Sequence, residues 1–309
     1  MPRIILGSIS MCTNNPDKDS IRISAHNNQL RWLESLNLYD YRYYRIEQAY
    51  TPEFKMSVNT SIEKFVPLSF EKGLGPSGAR NELLKLLYES DADWLVCMDD
   101  DRSLYSHYAS GEFIEELQSS PYFHKLAERG VLITTLVPEI HPFKKMNLDF
   151  GMIETNWNLI KGSLDGCLQI CCIPNLVKFG YRPVWFDSTN LVTHGKPPED
   201  VQFEIDWLVA KHEIANNAMA VVKDHAPQNK NASAVFENLE IRGEIEKTQA
   251  PAVEEYVRKV TKNRCLNRTQ LNKQKNSFKN TAIPRLKRYT PVQTDYGKYY
   301  TIPSLNIVE

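Results

Sequence analysis

The stretch Asp93-Trp94-Leu95-Val96-Cys97-Met98-Asp99-Asp100-Asp101 decides the fold. Leu95 to Met98 is a short apolar run of the kind that forms a buried strand, and it breaks off abruptly at Asp99, Asp100 and Asp101. In open α/β sheets ligands bind just beyond the carboxyl ends of the strands. Asp99 and Asp101 have Asp-x-Asp spacing, and carboxylate oxygens are the donors that hard cations such as Mg2+ and Mn2+ prefer. A cation held there can carry a diphosphate. The plain alternative is a strand that ends in a solvated acidic turn.

The sequence on either side alternates between strand and helix patterns. Arg3 to Ser8 reads as an opening strand, Ile21 to Leu36 as a helix with Ile23, Leu30, Trp32 and Leu33 on its apolar stripe, and Tyr44 to Gln48 as a second strand. A short strand is expected near Phe65 to Leu68. The turn Gly73-Leu74-Gly75-Pro76-Ser77-Gly78-Ala79-Arg80-Asn81 leads into a buried helix over Glu82 to Tyr88, with Ser77 or Gly78 as candidate cap. A helix N-terminus offers free N–H groups and a positive dipole end, so this turn suits a phosphate or a nucleotide, with Arg80 as a fixed cation; an ordinary loop into a helix is the alternative.

Beyond the acids, helices are expected over Glu112 to Gln118 and Pro121 to Arg129, and strands over Val131 to Val137, Asn156 to Ile160 and Gly166 to Ile173. Pro174 opens a short helix over Asn175 to Phe179. Thr193 to Pro198 is a breaker-rich loop before Glu199-Asp200, where a helical stripe begins and runs to about His212. Met219 to Val222 is a strand that delivers Lys223-Asp224-His225. The alternation implies a layered α/β sheet flanked by helices.

At 309 residues the chain can bury a large core, and its net charge of −1 points to neither a nucleic acid nor a membrane. The distribution of charge says more. From Tyr256 to Thr294 there is no acid, while Lys273, Lys275, Arg285, Lys287 and Arg288 stand among many other cations. Such a run attracts a polyanion such as DNA, or docks on the acidic remainder of the chain. Phe278 and Tyr289 are too sparse for a base-stacking series. The expected division is an α/β domain over 1–228 and an extension over 229–309, partly helical over 230–256 and irregular in its basic segment at 256–294.

Six cysteines, several inside apolar runs, imply a reduced, cytoplasmic protein, and Cys167-x-x-x-Cys171-Cys172 reads as buried strand rather than a zinc site. No apolar segment approaches membrane-spanning length, and Ile4-Ile5-Leu6 is too short for a signal peptide.

Gly78-Ala79-Arg80-Asn81, the strand into Asp99-Asp100-Asp101, Pro198-Glu199-Asp200 and His225 resemble, in order, the motifs of GT-A-fold glycosyltransferases, over roughly residues 3–227. The resemblance implies a GT-A-like (Rossmann-like) mixed sheet and a nucleotide-sugar donor, of which a UDP-sugar is the expected kind. It implies a metal, Mn2+ or Mg2+, held by Asp99, Asp101 and His225, and donor contacts from Arg80, Asn81, Asp99 and Asp100. Asp200 becomes the catalytic base, Glu199 a second catalytic residue beside it in the motif, and the reaction an inverting one. Three successive aspartates leave open which pair matches, and Asp100 is an alternative sugar-facing acid. His194 is a rival ligand. Trp157 and Trp207 are expected in the core, and Trp185 in the core or at an acceptor pocket.

In layout the chain is also similar to bacteriophage transferases that glycosylate hydroxymethylated pyrimidines in phage DNA. This implies a hydroxymethylcytosine acceptor, reached in the host cytoplasm and contacted by the basic segment. Transfer to a protein, lipid or glycan, nucleotidyl transfer, and a non-catalytic DNA-binding module are the alternatives.

Overall fold

The computed structural model describes residues 3–11, 15–48, 65–106, 112–136, 153–154, 170–188, 199–210, 212, 214–224, 252, 255–256, 259, 290–294 and 297–301. Among them, nine strands form one mixed sheet. Its left half is parallel: β3 (Phe65–Phe70), β2 (Tyr41–Gln48), β1 (Ile4–Met11) and β4 (Trp94–Asp99) lie side by side. Next to β4 comes β8 (Ile170–Pro174), antiparallel, then β6 (Leu132–Leu136), β9 (Ile214–Asp224) and β5 (Arg102–Ser106). The two-residue strand β7 (Ile153–Glu154) also pairs with β9.

Along β1 and β4 nearly every residue is buried, because helices cover both faces and side chains alternate between them. On one face Ile4, Leu6, Val96 and Met98 pack with Leu30 and Leu33 of α1 (Pro16–Glu34), and with α3 (Glu112–Ser119) and α4 (Pro121–Glu128). On the other, Ile5, Leu95 and Cys97 meet Leu83, Leu84 and Leu87 of α2 (Gly75–Tyr88), and Phe203 and Trp207 of α5 (Glu199–Val209). The approach of α2 to β1 is close: a Cβ on Gly7 would stand 2.7 Å from a Leu83 methyl. Trp207 is fully buried and donates its indole N–H to the Gly130 carbonyl at 3.0 Å, as a core tryptophan should.

Several expectations change. The segment 175–179 is a set of turns and not a helix: the Asn175 carboxamide accepts from the Lys178 amide at 3.1 Å, and Gly180, at φ +80, ends the excursion after one turn. The last strand of the sheet runs from Ile214, well before Met219. β5 was not expected at all, since Arg-Ser-Leu-Tyr-Ser carries too few apolar residues to stand out. Beyond residue 256, where the expectation is an irregular tail, β10 (Thr290–Thr294) and β11 (Gly297–Thr301) form an antiparallel pair. The expected strand at 156–160 lies outside the described residues. Cys171 and Cys172 are buried in β8 as read, and Cys167 lies outside the described residues.

Candidate active site at the carboxyl edge of the sheet

The parallel strands β1, β2, β3 and β4 all end at the same edge, and α2 and α5 begin there. The acid turn occupies the centre of it. Asp99 closes β4, Asp100 and Asp101 form the turn, and Arg102 opens β5. The three acids part company: the side chains of Asp99 and Asp101 are 30% and 25% exposed, that of Asp100 only 5%.

Arg80, in the first half of α2 and 6% exposed, joins two of the motifs. It donates through Nη2 to Asp99 Oδ1 at 3.2 Å and through Nη1 to Glu199 Oε1 at 2.9 Å, so the acid turn and the start of α5 share one guanidinium. Burial works against its charge, but the fields of Asp99, Glu199 and Asp200 outweigh it and lift its pKa above the ordinary arginine value. Burial likewise pushes the Asp99 carboxyl up, and Arg80 and Arg102 pull it back only in part. Asp200 follows Glu199 in the first turn of α5, half-buried, where the helix dipole favours acids.

Asn81 exchanges two hydrogen bonds with the backbone of Phe186, both at 2.9 Å. That fixes the segment before α5 against α2, and the Phe186 ring then stacks on Phe203 at 4.0 Å and lies under the Arg80 guanidinium at 5.6 Å. α2 starts earlier than read from sequence, at Gly75, with Leu74 as cap residue and no side-chain cap; Pro76 supplies the preset φ of a first turn. The Ser77 hydroxyl is buried there without a hydrogen-bond partner among the described residues. Trp185 is 42% exposed, edge-on to Tyr88.

The sequence reading missed the underside of the acid turn. Asp100 Oδ2 accepts from Ser10 Oγ at 2.7 Å and Arg22 Nη2 at 2.9 Å, so its carboxylate is directed into the protein. His26 Nδ1 donates to the Asp100 carbonyl at 3.2 Å. Gln29 Nε2 donates to the carbonyls of Asp99 and Arg102 at 2.7 and 2.5 Å. Asp100 raises the pKa of Arg22 against the cost of burial. Burial, aided by Arg45, lowers that of His26 to about 4, so its ring is neutral near pH 7. Polar residues at 22, 26 and 29, one helical face, were the available signal. Another buried ion pair, Arg45 with Glu47, lies toward the ends of β2 and β3, where Ser69 Oγ also donates to Glu47 at 2.6 Å.

Asp101 pairs with Arg102 at 3.3 Å. Among the described residues no three of His, Cys, Asp and Glu come together as a metal cluster. His225 lies outside the described residues, as do Pro198, His194, Trp157 and the basic residues Lys273, Lys275, Arg285, Lys287 and Arg288. β9 nevertheless ends at Asp224, which is paired with Arg102, so the strand reaches the acid turn just before His225. Part-exposed carboxylates at such a turn fit a hard cation by donor type. The extension also touches this side of the fold: Tyr256 donates to Asp206 of α5 at 2.6 Å. No helix among the described residues is long and apolar enough to cross a membrane.

No protein-family model matches the chain, and no curated protein does. Among solved structures it is similar to the crystal structure of S. aureus TarS 1–349 in complex with UDP-GlcNAc, with a TM-score of 0.53 and 12% identity over 91% of this chain and 74% of that one. The crystal structure of S. aureus TarS 1–349 gives a TM-score of 0.47 and 13% identity over 71% of this chain, which spans 60% of that one. The first of these likenesses shows the fold expected from the sequence, a GT-A-like mixed sheet flanked by helices.

Proposed function

We propose that this chain is a glycosyltransferase that takes a sugar from a nucleotide-sugar donor. The observation that carries the reading is the Arg80 guanidinium, which draws Asp99 and Glu199 to one point at the carboxyl edge of the sheet although 100 residues of chain separate them, from 99 to 199. The same fold in TarS is solved with UDP-GlcNAc bound, which supports a UDP-sugar as the donor class.

In this reading the uncapped start of α2 faces the donor's phosphates, with Ser77 Oγ, which has no hydrogen-bond partner among the described residues, as a donor group there. Asp99 and Asp101 hold Mn2+ or Mg2+ with His225, supported by the end of β9 at Asp224 beside Arg102. When bound, that ion neutralises the departing diphosphate. Asp200 removes the acceptor hydroxyl proton, and a single displacement inverts the sugar carbon. Glu199 does not compete for that proton, because its carboxylate is committed to Arg80. The acid-free run from Tyr256 to Thr294 favours a polyanionic acceptor, and hydroxymethylcytosine in DNA is the acceptor we assign.

Incubation of the protein with a panel of nucleotide sugars and hydroxymethylcytosine-containing DNA, followed by nucleoside mass spectrometry, tests both halves. Free nucleoside diphosphate and a hexose or pentose mass on the nucleoside are expected. Pyrophosphate release points to nucleotidyl transfer instead. Diphosphate release with transfer only to a protein, lipid or glycan keeps the transferase and removes DNA.

A further inference from the structure

The inner face of α1 meets the acid turn with polar groups at Arg22, His26 and Gln29, one helical stripe. Between them these residues hold the carbonyls of Asp99, Asp100 and Arg102 and the carboxylate of Asp100. Gln29 is the best placed. It is fully buried, both protons of its amide are spent on the turn, and its Oε1 accepts from Tyr43 Oη at 3.2 Å, which in turn is bonded to Ser8 at 2.7 Å. The amide is thereby held on both sides and cannot rotate to another partner.

We infer that α1 is the positioning element of the acid turn: Gln29, His26 and Arg22 are positioning residues, and Asp100 is the strut through which they act, leaving Asp99 and Asp101 facing the donor side. A turn of bare aspartates repels itself and gains by swinging its carboxylates apart into water. Fixing the carbonyls on either side of Asp100, and burying the Asp100 carboxylate against a cation, confines Asp99 and Asp101 to one arrangement before any ligand arrives. Preorganisation of this sort lowers the cost of binding the donor. The inference rests on the reading of Asp99 and Asp101 as donor-contacting acids.

The test uses the full chain with Gln29→Leu, which keeps side-chain volume and removes the donor, and Arg22→Met and Arg22→Lys at the more exposed end of the stripe. Two readouts are taken: amide hydrogen exchange at residues 99–103 relative to β1, and donor kinetics with the UDP-sugar that the wild type turns over. Gln29→Leu is expected to speed exchange in the turn at least tenfold while β1 stays protected, and to raise KM for the donor about tenfold with kcat changed far less. Arg22→Met should do the same more weakly, and Arg22→Lys should recover most of it. Unchanged turn exchange and unchanged KM in Gln29→Leu overturn the inference, as does an equal loss of protection throughout the sheet. If the wild type uses no nucleotide sugar, the function proposed above falls, and the exchange data still decide whether α1 holds the turn.

Discussion

Arg80 Nη1 stands 2.9 Å from Glu199 Oε1, in a pocket where the two side chains are 7% and 15% exposed. The pair joins the helix behind the glycine-rich turn to the helix that carries the Glu-Asp motif. Its other arm reaches Asp99, so a single buried cation balances two acids drawn from different parts of the chain. Removing it leaves both carboxylates without the cation they share.

Arg80→Met is therefore expected to destabilise the fold by about 3 kcal/mol, the lower end of the cost of removing one member of a buried pair, since Asp99 keeps part of its hydration. Urea denaturation measures it. The double variant Arg80→Met, Glu199→Gln should recover part of that loss, and equal stabilities of wild type and single variant would contradict the pairing.

Asp101→Asn tests the metal. Donor affinity that depends on Mn2+ or Mg2+ in the wild type should fall by an order of magnitude or more in the variant, with the thermal transition little changed. Full activity of the wild type in a chelator removes the metal from the mechanism.

Asp200→Asn should lower kcat by about 10²–10⁴-fold and leave donor binding intact, as expected for loss of a general base. Proton NMR of the product reads the anomeric configuration. A product with the donor's configuration counts against single displacement.

His26 supplies a pH signature. Its pKa falls from 6.5 to about 4 on folding, mainly through burial. A lowered pKa means that the unfolded chain binds the proton more tightly, so this stabilisation is complete above about pH 6.5 and is lost as the pH falls through 4. The shift corresponds to roughly 3 kcal/mol. Denaturation midpoints taken at pH 7, 5.5 and 4 should drop more steeply for the wild type than for His26→Gln; parallel profiles would show that the ring is not held neutral. Taking the difference between the two proteins cancels the opposite trend from the raised carboxyl of Asp99.

Neutralising Lys273, Lys275, Arg285, Lys287 and Arg288 together should weaken DNA binding across all sequences and flatten its dependence on salt, because phosphate contacts position a protein without reading bases. Hydrolysis of the donor in the absence of DNA should be unchanged. A filter-binding series between 50 and 200 mM salt makes the comparison.

What the sequence determined by itself was local. The apolar run into Asp99, the leucines of α2 and the stripe after Glu199 each mark a single element, and the strand and two helices are there, although α2 begins ahead of its leucine pattern, at Gly75, and α5 stops at Val209. The likeness of motif order to the GT-A-fold enzymes also anticipated the sheet. Tertiary structure alone decided which acid faces which way. Asp99, Asp100 and Asp101 are chemically identical in the sequence, and Asp100 turns inward because Ser10 and Arg22, some 80 to 90 residues earlier, are brought beneath it by the pairing of β1 with β4 and the packing of α1. β5 likewise exists only because β9 lies ready to pair with it. Arg22, His26 and Gln29 would be a poor choice for a buried helix face on hydrophobicity alone. They are held there by the carbonyls and the carboxylate of the acid turn, and although their spacing marks one helical face, the sequence does not name a partner so distant in the chain.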